Sequence, residues 1–113
     1  MSRLRSAAAT LAVTAGLLGG GVMTAPSASA ADCWTPRQAG SHNQWANSGG
    51  DAISHSGPYG ACESYNVRDA WVSVACKYQN THGNWWYYTD WGWIYGAKYL
   101  SFPYGGVTTT CTR

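Results

Sequence analysis

Charge is scarce in this chain, and neither sign predominates in its larger part. Seven Lys/Arg stand against five Asp/Glu in 113 residues. Two of the seven, Arg3 and Arg5, open an apolar segment with the features of an export signal; without them five basic side chains face five acidic ones. Nucleic acid and anionic membranes require clustered Lys/Arg on the working domain, so neither is expected as a partner. Long apolar runs are missing as well. The one candidate, from about Ala7 to Met23, is interrupted by Gly16 and Gly19 to Gly21, meets Pro26, and falls short of a membrane span. Followed by Ala28-Ser29-Ala30, it reads as a secretory signal peptide over 1–30, cleaved after Ala30, and not as an anchor. Cys33 follows Ala31-Asp32, which a lipid-attachment signal would not place there.

Reactive-site patterns are also lacking. There is no H-E-x-x-H and no G-x-S-x-G, and His42, His55 and His82 are scattered. Cys33, Cys62, Cys76 and Cys111 are spaced by 29, 14 and 35 residues, without the paired C-x-x-C of a zinc knuckle. No catalytic residue, metal or cofactor is therefore expected. Glu63, Asp69 and Asp90 could pair as acid and base on a sugar only if two carboxyls faced each other across a cleft, and solvated loop acids are the simpler expectation. Four cysteines in an exported chain imply two disulfides and an oxidising, extracellular location.

What the chain has in excess is aromatic surface. All 16 Trp, Tyr and Phe lie beyond residue 30, more than a domain of about 80 residues can hide, so some are displayed. Residues 31–50 are polar and rich in Gly, Ser, Asn and Gln, with Trp34 and Trp45 as the large apolar exceptions, and read as an irregular N-terminal arm. Order is expected from about Asp51. Over Trp71 to Tyr78, Val72, Val74, Cys76 and Tyr78 alternate with Trp71, Ser73, Ala75 and Lys77, which predicts a half-buried strand carrying Cys76 on its inner face. The turn-forming run Gln79 to Asn84 leads to a second strand over Trp85 to Asp90; Gly92 to Tyr95 gives a third, and Val107 to Thr110 a possible last one. No later segment carries a helical period, so the fold class is all-β, a small barrel or sandwich of short strands.

Ser56-Gly57-Pro58, then Val72-x-Val74-x-Cys76, Gly83-Asn84-x-Trp86-Tyr87, and Gly92-Trp93-Ile94 followed by Tyr99-Leu100 occur in this order. The series resembles the bacterial SH3-like domain over about residues 52 to 102. Ile53-Ser54-His55 stands where that family reads Asn-Val-Arg. The resemblance implies an SH3-like β-barrel over 51–102 and a tail over 103–113, with Val72, Val74, Ile94 and Leu100 in the barrel core. It also implies a noncatalytic targeting module for cell-wall peptides or other extracellular ligands. His55, in the place of the family's arginine, is expected to be structural.

The run from Trp85 to Tyr95 concentrates the displayed rings. Because neighbours on a strand face opposite sides, Trp85 and Tyr87 cannot share a surface with Trp86 and Tyr88. An aromatic groove formed by Tyr59 and Tyr65 of the long loop with Trp85, Tyr87 and Trp91 of the hairpin is the expected ligand site, suited to a glycan face or an extended peptide. A monomeric, secreted wall-binding module follows. A rigid proteinaceous inhibitor of a secreted enzyme and a structural envelope protein are the alternatives.

The strand pattern leads to Cys62 pairing with Cys76, where the long loop folds back over the strand. Cys33 and Cys111 are left to join near the two ends, which emerge close together in an SH3-like barrel, tying arm to tail. The chain-entropy model assigns roughly 3 kcal/mol to the shorter loop and more than about 4 to the longer. Intact-mass measurement of the exported protein is expected to show loss of residues 1–30 and of the four thiol hydrogens; free thiols at all four positions would contradict the compartment.

Overall fold

The computed structural model describes residues 32–113; the expected signal peptide lies outside the described residues. Six strands form one antiparallel sheet: β1 (Gln44–Asn47), β2 (Ile53–His55), β3 (Ser64–Asn66), β4 (Trp71–Gln79), β5 (Trp85–Thr89) and β6 (Gly92–Tyr95), followed by one turn of helix, α1 (Gly96–Tyr99). Their order across the sheet is β1-β4-β5-β6-β2-β3. The domain is all-β as expected, but β1 and β3 do not pair with each other, so the sheet is open and the expected barrel is not closed.

Local chemistry explains the two hairpins. Between β4 and β5, the Asn80 side chain accepts hydrogen bonds from the N–H groups of His82 (3.0 Å) and Asn84 (3.1 Å) and donates to the Pro58 carbonyl (2.8 Å), pinning the turn to the preceding loop. Gly83 supplies the positive φ of 82° that this turn needs. Between β5 and β6 only Asp90 and Trp91 intervene. There the Thr89 hydroxyl donates to the Gly92 carbonyl (2.8 Å) and accepts from the Trp91 N–H (3.0 Å).

The long strand β4 contains an extra residue. Val74 pairs with Thr89 of β5, yet Cys76 pairs with Tyr88, so Ala75 is a β-bulge and the face on which alternate side chains emerge switches there. Val72 and Val74 consequently join an aliphatic cluster with Ala46, Ala52, Val67, Ile94 and Val107. Cys76 joins an aromatic cluster on the other face with Trp34, Ala75, Trp86, Trp93 and Cys111, against which Tyr78, Tyr88 and Tyr95 pack. The uninterrupted inner face expected over Trp71 to Tyr78 is thus divided between two cores.

This switch overturns the expected disulfide pairing. The bonds are Cys33–Cys62 and Cys76–Cys111. The bulge turns Cys76 towards the face crossed by the tail, which runs beside β4: the Lys77 N–H donates to the Thr109 carbonyl (2.8 Å) and the Cys111 N–H donates to the Lys77 carbonyl (2.8 Å). The possible last strand over Val107 to Thr110 is therefore a single parallel bridge, Thr110 with Lys77. Cys62 instead meets Cys33, while the His55 Nδ1–H donates to the Cys62 carbonyl at 2.9 Å. Gly57 lies under this bond, where an added Cβ would collide with the Cys33 backbone.

The segment expected as an irregular arm contains β1, and its Trp34 is a core residue. The Trp93 indole N–H donates to the Trp34 carbonyl (2.7 Å), and the Trp34 ring packs edge-on against Tyr78 and Trp93. Strand β3 and α1 were not foreseen. Both are a few residues long, below the length at which a period shows. Trp34→Ala is expected to cost about 3 to 5 kcal/mol, the range for a buried Trp, measured by denaturant unfolding under oxidising conditions. A cost under about 1 kcal/mol would mean that the arm is not part of the core. Non-reducing peptide mapping is expected to recover Cys33 linked to Cys62 and Cys76 linked to Cys111.

Candidate functional site

Among the described residues five large apolar side chains remain exposed: Trp45 (47 %), Tyr65 (46 %), Trp71 (41 %), Trp85 (41 %) and Tyr104 (70 %). Two of them, Tyr65 and Trp85, belong to the groove expected from the sequence, but the structure distributes that set of residues. Tyr59 stands at the β4–β5 turn, its hydroxyl 3.2 Å from the Thr81 hydroxyl and its ring edge-on to His82. Trp85, at the same end of β5, carries the Lys77 ammonium 4.9 Å from its ring centroid. Trp91 sits at the opposite end of β5, where its indole N–H donates to the Asp69 carboxylate at 3.1 Å.

Tyr65 lies on the outer strand β3 and donates its hydroxyl to Glu63 at 2.9 Å. That hydrogen bond, with burial and the Glu63 charge adding to it, raises the Tyr65 phenol above its ordinary pKa. Tyr87 packs against Phe102 and the aliphatic core, and burial raises its phenol likewise. Gly96 makes this seat possible, since an added Cβ there would enter the Tyr87 ring. Among the described residues no ring contact joins any two of the five.

The other three exposed rings share the face of β1 and β4 that turns away from the aliphatic core. Trp45 is directly opposite Ser73 and Asn47 directly opposite Trp71, so these four side chains leave the sheet on one side while Ala46 and Val72 leave on the other. The Tyr104 ring stacks on Trp71, centroids 5.7 Å apart and planes 30° apart. Two contacts hold the 101–105 segment in place: Asn47 and Ser101 exchange backbone hydrogen bonds (2.9 and 3.0 Å), and the Gln44 amide donates to the Tyr104 carbonyl (3.2 Å). His42 completes the face, with Nδ1 2.6 Å from the Ser73 hydroxyl and its ring 5.0 Å from that of Trp45.

The sequence showed Trp71 and Ser73 to be off the inner face. It gave no signal for Trp45, which sat in a segment without period, nor for Tyr104, which reaches Trp71 only because the chain turns back along β1.

The acids considered for catalysis are each engaged: Glu63 by Tyr65, Asp69 by Trp91, and Asp90 by the Ser73 N–H at 3.0 Å. His55 packs edge-on against Trp86 besides holding the Cys62 carbonyl. No group of three or more metal-ligating side chains occurs among the described residues, and among them no helix is long and apolar enough to cross a membrane. The two disulfides fit an oxidising, extracellular setting. No protein-family model, curated protein or solved structure matches the chain.

Exposed and buried tryptophans should separate in stability. Trp93 is fully buried, so Trp93→Ala is expected to cost about 3 to 5 kcal/mol. Trp85→Ala removes an exposed cation–π contact worth about 0.5 to 1 kcal/mol. Equal losses in urea unfolding would place Trp85 in the core.

Proposed function

We propose that this chain is a secreted, noncatalytic binding module of the SH3-like kind that attaches to a cell-wall polymer, peptide or glycan. In this reading the ligand lies on the Trp45, Trp71 and Tyr104 face, and the dispersed set Tyr59, Tyr65, Trp85, Tyr87 and Trp91 does not form the site. The observation that carries the proposal is the cluster itself. Exposed aromatic rings are costly to leave in water, and three gathered on one face of a disulfide-stapled sheet form a patch of the sort that marks a ligand surface. The sheet fixes their positions in advance, so little ordering cost remains for binding.

The family resemblance is supported by one more feature of the sequence. The triplet Asn66-Val67-Arg68 has the Asn-Val-Arg order that Ile53-Ser54-His55 lacks, and it begins on β3 directly opposite Ile53. It departs from the family order in following Gly57-Pro58.

Co-sedimentation with insoluble bacterial cell walls tests the function. The oxidised protein is expected to pellet with the walls. Trp71→Ala and Tyr104→Ala should each weaken retention about tenfold, equivalent to about 1.4 kcal/mol, with Trp85→Ala unchanged. No retention, together with inhibition of a secreted hydrolase, would replace the module by the inhibitor.

A further inference from the structure

The polymer bound at this face is identified by what lies between and beside its rings. Ser73 is directly across from Trp45 and two residues along β4 from Trp71, so it neighbours both residues on this face. It is held there by His42, which also packs on Trp45. The face is thus an alternation of flat apolar surface with hydrogen-bonding groups. Lys77, Lys98 and Arg113 stack on Trp85, Tyr99 and Trp34, and among the described residues no cation stacks on Trp45, Trp71 or Tyr104.

The backbone beside the face argues against a peptide. Extended peptides gain affinity largely by adding a strand to a free sheet edge. The edge next to these rings is β1, and Asn47 already exchanges both of its hydrogen bonds with Ser101 there. Beside it the Trp45 N–H donates to the Gln44 side-chain oxygen (3.0 Å), so β1, though an end strand like β3, has few backbone donors left to offer. A peptide on the Trp45–Trp71 face would therefore bury backbone groups without partners, which is unfavourable. A sugar chain has no strand-forming backbone, and its polar groups project from the ring edges, where water can reach them. Its pyranose rings offer C–H faces to aromatic planes and hydroxyls at their rims to groups such as Ser73 and His42.

Resting on the binding-module reading, we propose that the Trp45, Trp71 and Tyr104 face selects a neutral, linear glycan of gluco-configured pyranoses. Such a chain, β-1,4-linked, keeps its hydroxyls equatorial and its C–H faces bare. Trp45 supports one sugar, Trp71 with Tyr104 supports another, and Ser73 and His42 hydrogen-bond hydroxyls between them. Two stacking stations separated along the sheet require an oligosaccharide, so a monosaccharide engages only one of them.

Soluble β-1,4-linked N-acetylglucosamine oligomers, titrated into the oxidised full chain by calorimetry and by Trp fluorescence, test this directly. Oligomers are expected to bind at least tenfold more tightly than the monosaccharide and to release the protein from cell walls. Trp45→Ala and Trp71→Ala should each weaken oligomer binding about tenfold, and Ser73→Ala severalfold. Trp71→Tyr should restore most of the affinity, and Trp85→Ala should have no effect. Near-UV circular dichroism unchanged from the parent chain shows that each variant is folded.

Retention on walls that soluble wall peptides abolish and sugar oligomers leave intact would overturn the glycan assignment while sparing the module. Oligomer binding lost on Trp85→Ala but kept on Trp71→Ala would overturn the face. Failure to bind both walls and oligomers would remove the binding-module reading itself.

Discussion

Between Val74 and Cys76 the ladder joining β4 to β5 takes in one residue more than it can pair, and nearly everything distinctive about the domain depends on that bulge. A strand of nine residues with strict alternation would commit one side to a single core. With Ala75 inserted, the first half of β4 sends Val72 and Val74 into the aliphatic cluster and the second half sends Cys76 and Tyr78 to the opposite side of the sheet. The sheet therefore buries both faces over part of its area. A domain this small does not have the aliphatic residues to do so twice, and its second core is built from tryptophan and tyrosine.

That second core also explains why the segment before β1 is ordered. Large rings stacked edge to face carry N–H groups that favour an acceptor when buried, although the Trp86 indole in this core has none. The Trp93 indole finds its acceptor in the Trp34 carbonyl, which fixes the chain entering the sheet. Cys33, next to it, is tied to Cys62 in the β2–β3 loop, and Cys111 in the tail is tied to Cys76. Both ends of the described chain are thus locked against the aromatic side. On the β1 half of the same side Tyr104 stacks on Trp71 and His42 packs on Trp45, and there the rings meet water.

The elements marked by local signals, the two-residue period of β4 and the sheet-favouring residues and turns around β5 and β6, were legible in the sequence. These are β4, β5, β6 and the turn residues Asn80 to Asn84 that join the first two, together with the all-β class and the presence of two disulfides. The elements set by tertiary contact were not. Strand β1 is four residues of mixed polarity whose position is fixed by the register of Ala46 against Val72, and β3 has three exposed residues held by β2 alone. The disulfide partners were misassigned because a bulge leaves no mark in the alternation of apolar residues: Val72, Val74 and Cys76 have the right spacing to share a face and do not. The same applies to the candidate site. Tyr59, Tyr65, Trp85, Tyr87 and Trp91 are aromatic and close in sequence, whereas Trp45, Trp71 and Tyr104 come from three distant segments and are joined only by strand pairing and the return of the chain at Ser101.

The two bonds also shorten the route by which tension crosses the molecule. A pull on the segment before Cys33 passes through its sulfur to Cys62, follows the backbone to Cys76, and leaves through Cys111. Residues 34–61 and 77–110 hang from this route as closed loops and bear no load along their length. Only the stretch from Cys62 to Cys76 can pay out, at most about 50 Å at ~3.5 Å per residue. A chain pulled at its two ends would give by that small amount and then stop, with β1, β5, β6 and the Trp71 partner segment at Tyr104 all outside the line of force.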